Sequence, residues 1–125
     1  MPRFVILSHD HPFPHWDLML EHQNRLVTWR LPSLLVGEDC LTAEKLSDHR
    51  LGYLDYEGPV SGDRGTVARW DAGRYQLLDD SGPEWNHGSY MVRLEGTQCC
   101  GWLQLNCNLE GEPWELQWMA DTVAK

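Results

Sequence analysis

The sequence predicts an all-β protein: a small closed or nearly closed antiparallel β-barrel of about eight short strands, with few or no helices. Three observations carry that expectation. Short runs such as Trp114-Glu115-Leu116-Gln117-Trp118 alternate apolar and polar residues with the period of a half-buried strand. Turn signals built from Gly, Pro, Asn and Asp recur between those runs, and almost no stretch keeps a helical period. Closure of the sheet would remove the open edges that so much β chain otherwise leaves.

The elements follow in order. Phe4-Val5-Ile6-Leu7 is a short strand, and His15 to His22 is a second. Gln23-Asn24 offers a tight turn into Arg25 to Leu31, a hairpin that Pro32 stops. Pro32 to Asp39 reads as a loop bearing Leu34-Leu35-Val36. Leu41 to Leu46 reads as strand or helical turn, because Ala43, Glu44 and Lys45 weaken the strand pattern. Asp48 to Gly58 reads as a structured loop with short extended pieces, and Gly62-Asp63-Arg64-Gly65 as a turn. Thr66 to Trp70 and Arg74 to Leu78 form a hairpin around a turn at Asp71-Ala72-Gly73. Asp79 to Gly88 is a loop. Ser89 to Leu94 and Gly101 to Leu105 form a further hairpin, and Trp114 to Met119 closes the chain. With 125 residues, seven Trp and no repeat or linker, the chain reads as one domain over 1–125 with a real core. Trp29, Trp70, Trp102, Trp114 and Trp118 fall on alternating strand positions, and most of them are expected in that core.

The chemistry concentrates in His9-Asp10-His11-Pro12-Phe13-Pro14-His15-Trp16-Asp17-Leu18-Met19-Leu20-Glu21, where three imidazoles meet three carboxylates. On a strand, His15 and Asp17 point the same way, about 7 Å apart. A turn over Pro12-Phe13-Pro14 folds His9 or His11 back beside them. Two imidazoles and a carboxylate with open positions suit a catalytic Mn, Fe or Zn. Asp10 and Glu21 are the carboxylates placed to accept the second N–H of a ligating imidazole.

Ten Lys and Arg against 19 Asp and Glu leave a net charge of −9, which excludes broad, non-specific adhesion to nucleic acid. Residues 1–36 are nonetheless neutral: Arg3, Arg25 and Arg30 balance Asp10, Asp17 and Glu21, and four of the six histidines lie there. One face is therefore free to take a phosphate ester beside a bound cation. No apolar run approaches a membrane span and the amino terminus is too quickly polar for a secretory signal, so a cytoplasmic protein without membrane partners is expected. Cys40, Cys99, Cys100 and Cys107 lack zinc-knuckle spacing and are expected as free thiols.

Several spaced motifs then coincide. His9-Asp10-x4-His15-x-Asp17-x-x-Leu20-Glu21, Trp29-x-x-Pro32, Asp48-His49-x-Leu51-x-Tyr53-x-Asp55-Tyr56-Glu57-Gly58, Gly65-Thr66-Val67 and Trp70-Asp71 occur in that order. Together they resemble the 3′-phosphoesterase domain of bacterial ATP-dependent DNA ligase D, as a stand-alone form, over roughly residues 3–78 with continuation to the end. The resemblance implies a β-barrel enzyme that trims DNA 3′ ends at breaks, removing 3′-terminal ribonucleosides and then 3′ phosphates with manganese. Zinc or cobalt are the other candidate ions, and a separate ligase and polymerase are implied partners. It implies metal ligation by His9, His15 and Asp17, phosphate contacts and catalysis by His49 and Tyr53, and a further phosphate contact from Lys45.

The departures bear on that reading. The family's phosphate-clamping Arg two residues after the metal Asp is Met19 here, a thioether without donor or charge. Its Lys after Trp-x-x-Pro is Ser33, its acidic residue two before the second-motif His is Ser47, and the loop from Gly58 to Gly65 is shorter. Arg30, Arg50 and Arg64 are the cations that would have to replace the clamp. Two other functions compete with the enzyme: a barrel that binds phosphate or nucleic-acid ends without turnover, and a cupin-like metal oxygenase built on His9-x-His11. The second leaves His49 without a role.

Overall fold

The computed structural model describes residues 2–36, 38–78 and 84–121. Among the described residues nine strands follow in chain order: β1 (Arg3–His9), β2 (His15–His22), β3 (Arg25–Leu31), β4 (Glu38–His49), β5 (Gly58–Pro59), β6 (Thr66–Leu77), β7 (Gly88–Gly96), β8 (Cys100–Cys107) and β9 (Trp114–Ala120). A single 3-10 turn, Leu51–Leu54, lies between β4 and β5. The strands hydrogen-bond in the order β1-β2-β3-β4-β9-β8-β7-β6, and β6 returns to β1, closing an eight-stranded barrel with β5 as an extra strand on β6. Every pairing is antiparallel. Among the described residues no helix is long and apolar enough to cross a membrane.

Two apolar clusters divide the molecule. The barrel interior holds Phe4, Ile6, Leu18, Leu20, Trp29, Trp114 and Trp118. Trp85, outside the sequence expectation for the core, joins them at 2% exposure, its ring 5.5 Å from Trp29. A smaller cluster on the outer wall joins Val5, Leu7, Met19, Leu26 and Val67 to Leu54 of the 3-10 turn. The segment 50–65 thus lies over the outside of β1 and β2, and most of β2 is buried on both faces. Trp70 and Trp102 are only partly buried.

Two expectations are corrected. The turn read at Asp71-Ala72-Gly73 does not exist, because β6 runs unbroken from Thr66 to Leu77 and absorbs its irregularity in a bulge opposite Ile6 and Leu7. The weak strand signal at Leu41–Leu46 belongs to a twelve-residue strand, β4, whose pairing with β3 and β9 overrides local propensity. Residues 79–83 of the expected loop from Asp79 to Gly88 lie outside the described residues. None of the four cysteines forms a disulfide, and Cys99 and Cys107 are buried.

The bulge in β6 turns the Asp71 carboxylate inward, where it is 4% exposed. Its oxygens accept the N–H groups of Ala72, Thr97, Gln98 and Cys99 at 2.8–3.0 Å, so one anion holds the turn between β7 and β8. Asp71→Ala strands those donors and should cost about 3 kcal/mol in denaturant unfolding; a loss below about 1 kcal/mol would mean that water replaces the carboxylate.

Burial first, and then Asp71, push the Cys99 thiol from an ordinary 9.0 up to about 12. Between those values the unfolded chain has lost this proton and the folded chain has kept it, so stability falls as pH rises. Unfolding free energies of Cys99→Ala should decline less steeply than wild type across that window; parallel curves would refute the assignment.

Candidate metal centre

The strands β1 and β2 build the centre by register. Residues 10–14 reverse the chain so that His9 lies directly opposite His15, and Leu7 opposite Asp17. Alternation carries His9, His15 and Asp17 to the outer wall beneath segment 50–65. One donor atom from each residue falls within 4.8 Å of the others, while His15 and Asp17 are each 2% exposed.

Hydrogen bonds decide which imidazole nitrogens are available. His9 Nε2 lies 2.7 Å from the carbonyl of Arg64, and His15 Nδ1 lies 2.8 Å from the carbonyl of Phe13. A carbonyl only accepts, so each of these nitrogens carries the hydrogen, and in a neutral ring the other nitrogen presents a lone pair. Those lone pairs, His9 Nδ1 and His15 Nε2, stand 3.2 and 3.1 Å from the two oxygens of Asp17. Lone pairs facing a carboxylate at that range need positive charge between them, either a proton on His9 Nδ1, whose contact with Asp17 has hydrogen-bond geometry, or a metal ion. The His15–Asp17 contact lacks hydrogen-bond geometry, and both its atoms are buried without a hydrogen-bond partner. Two nitrogens and a carboxylate oxygen, two of them orphaned, are the donor set that a divalent transition ion takes.

Beside this centre opens a cleft of about 320 Å³. Buried Met19 and Val67 join Asp17 in its floor, and His49, Arg50, Tyr53 and Arg64 stand around it. His49 reaches the outer wall because β4 bulges: the register moves by one residue between the Leu26–His49 and Thr28–Leu46 pairs. Its Nδ1–H donates to the Ser47 carbonyl at 2.9 Å, leaving Nε2 as the free nitrogen, and its ring meets Tyr53 edge-on at 5.7 Å.

Three assignments change. The same bulge separates Lys45 from His49: Lys45 pairs with Trp29, lies 5.7 Å from that ring, and does not line the cleft. Burial there lowers its pKa. Asp10 does not reach an imidazole, since its carboxylate accepts the Thr66 N–H at 2.7 Å. Glu21 accepts the Arg3 N–H at 2.9 Å, two side chains further along that face than Asp17. The groups that orient the imidazoles are main-chain carbonyls of Phe13 and Arg64, which no side-chain pattern marks; the Pro-Phe-Pro and Gly65 turn signals were their only trace. His11 is exposed beside Gly65.

Comparison with known proteins agrees with this architecture. Residues 7–106 match the family model described as the DNA ligase D 3′-phosphoesterase domain. The chain belongs to that family. It is 30% identical over 122 residues to the multifunctional non-homologous end joining protein LigD of Pseudomonas aeruginosa, a match covering 93% of this chain and 14% of that protein. Against the LigD of Mycobacterium tuberculosis H37Rv it is 34% identical over 106 residues, covering 78% and 13%. Against that of Mycolicibacterium smegmatis it is 31% identical over 133 residues, covering 95% and 17%. The chain therefore spans about a seventh of the length of the curated relatives it matches.

Gly65, at φ +78°, tests the link between turn and centre, because an added Cβ would strike the Asp10 carboxylate and the His11 side chain. Gly65→Ala should displace the Arg64 carbonyl from His9 and weaken the centre's affinity for an added divalent ion, probed with manganese in calorimetric titration, about tenfold or more. Unchanged affinity in the folded variant would show that the carbonyl does not orient the ring.

Proposed function

We propose that this chain is a metal-dependent phosphoesterase that trims DNA 3′ ends in break repair, removing 3′-terminal ribonucleosides and 3′ phosphates, with manganese as the working ion. One observation carries the reading: His9 Nδ1 and the unpartnered His15 Nε2 converge with the Asp17 carboxylate at the side of a cleft that also holds His49, Tyr53 and two arginines. The family and the end-joining relatives supply the substrate class.

His9 Nδ1, His15 Nε2 and the Asp17 carboxylate would hold the ion. When bound it supplies positive charge against a phosphate oxygen and a readily ionised water. His49 Nε2 faces substrate with its ring fixed by the Ser47 carbonyl; protonated, it donates to the phosphate or to the leaving oxygen. The Tyr53 hydroxyl orients the same phosphate, with the ring held between His49 and Tyr56. Segment 50–65 keeps the rear of the centre dry by packing Leu54 on Val5 and Leu7.

An apolar Met19 beside Asp17 favours a second reading, a barrel that binds ends without turnover. A primer–template ending in a ribonucleotide or a 3′ phosphate separates the two. Manganese should support trimming by wild type, and His9→Ala should lose about a hundredfold or more while staying folded. Binding of the end with no product at any manganese concentration would favour the second reading.

A further inference from the structure

We propose that Arg50 and Arg64 form a two-guanidinium clamp, borne by the covering segment rather than by the barrel wall, that positions the substrate's phosphate against His9, His15 and Asp17. The proposal rests on the phosphoesterase reading for its substrate and on independent observations for its residues.

The first observation is the distribution of ion pairs. A protein with a formal charge of −9 repels a phosphate unless cations are placed locally. Most described cations near the outer wall are already engaged. Arg3 pairs with Asp55 at 2.7 Å, Arg25 with Asp48 at 3.3 Å and Arg30 with Glu44 at 3.3 Å. Arg30 also lies over the Phe13 ring and does not line the cleft. Lys45 is turned to Trp29. Among the described residues Arg50 and Arg64 close no ion pair, and both line the cleft beside the centre. The exposed carboxylate of that cleft, Asp48, has Arg25 and Lys45 as partners, so it does not neutralise them.

The second observation is how Arg64 is held. Its Nε donates to the Ser61 carbonyl at 2.7 Å and one terminal nitrogen reaches Ser61 Oγ at 3.2 Å, so the guanidinium is fixed on the turn with its other donors free. The turn is itself tied down, by Val60 N–H to Gly65 O at 2.7 Å and by Asp10 to Thr66. The same residue's carbonyl orients His9. Arg64 thus sets a metal ligand with its backbone and meets the anion with its side chain. Arg50, exposed at the start of the 3-10 turn, stands next to His49 in sequence and brings the second cation to the same cleft. A planar fork pair of this kind suits a phosphate oxygen set better than point charges do.

The test measures binding, so that it does not depend on turnover. A short labelled single strand carrying a 3′ phosphonate, which water cannot remove, is compared by fluorescence anisotropy with its 3′-hydroxyl twin, across salt and with manganese. Arg50→Gln and Arg64→Gln should each weaken binding of the phosphonate strand about tenfold and lower the salt slope by about 0.7, while the hydroxyl strand changes little. Manganese affinity should stay at the wild-type value in both variants, because the Arg64 carbonyl is retained. A double variant with wild-type affinity and salt slope would overturn the clamp. So would loss of manganese affinity in step with loss of strand binding, since the arginines would then act only by holding the turn. A wild type without turnover whose phosphonate binding still falls in both variants would retire the phosphoesterase reading and leave the clamp standing.

Discussion

Strand β1 is the constraint on which both the barrel and the centre depend. It pairs along its length with β2 on one side and β6 on the other, so the hydrogen bonds that close the sheet also bring His9 opposite His15 and next to Val67. A slip of one residue in either ladder would exchange the two faces of β1, putting Val5, Leu7 and His9 inside the barrel. The interior could not hold an imidazole without a partner, and the outer wall would lose the apolar surface on which segment 50–65 packs. Register, closure and metal geometry are therefore one condition.

Segment 50–65 turns that wall into a site. It brings no side chain to the His9–His15–Asp17 cluster, yet it supplies the carbonyl that fixes His9, the ring of Tyr53 and both unpaired guanidinium groups of the cleft. Its attachment is part apolar, through Leu54, and part ionic, through Arg3 and Asp55, where the paired Arg3 holds the Asp55 carboxyl below its usual range. The exposed ion pair adds little stability by itself. It adds direction, tying the end of the 3-10 turn to the start of β1.

Much of this was legible in the residues, for physical reasons that differ by position. Alternation along His15-x-Asp17 is enough to place both side chains on one face, because a strand has period two whatever it packs against. The antiparallel barrel followed from short runs and turn signals. What stayed hidden depended on bulges. One extra residue in β4 sends His49 outward and leaves Lys45 inward, reversing the shared face that their spacing of four implies. Another lets β6 continue through a dipeptide and glycine that read locally as a turn. Asp10 looked like a partner for imidazole because carboxylates commonly are, whereas its oxygen serves Thr66 and the imidazoles use backbone. Trp85 gave no strand signal and reaches the core from a loop.

The use of main-chain acceptors for His9, His15 and His49 has a consequence for how such a site can diversify. Phe13, Ser47 and Arg64 each offer a carbonyl, a group that every amino acid possesses. These contacts constrain the chain path at those positions and leave the side chains to other work, as Arg64 illustrates. Residues 13 and 47 can therefore be exchanged, and residue 64 chosen for its side chain alone, without disturbing how the imidazoles are oriented. Variation at the mouth and constancy of the imidazole geometry are therefore compatible.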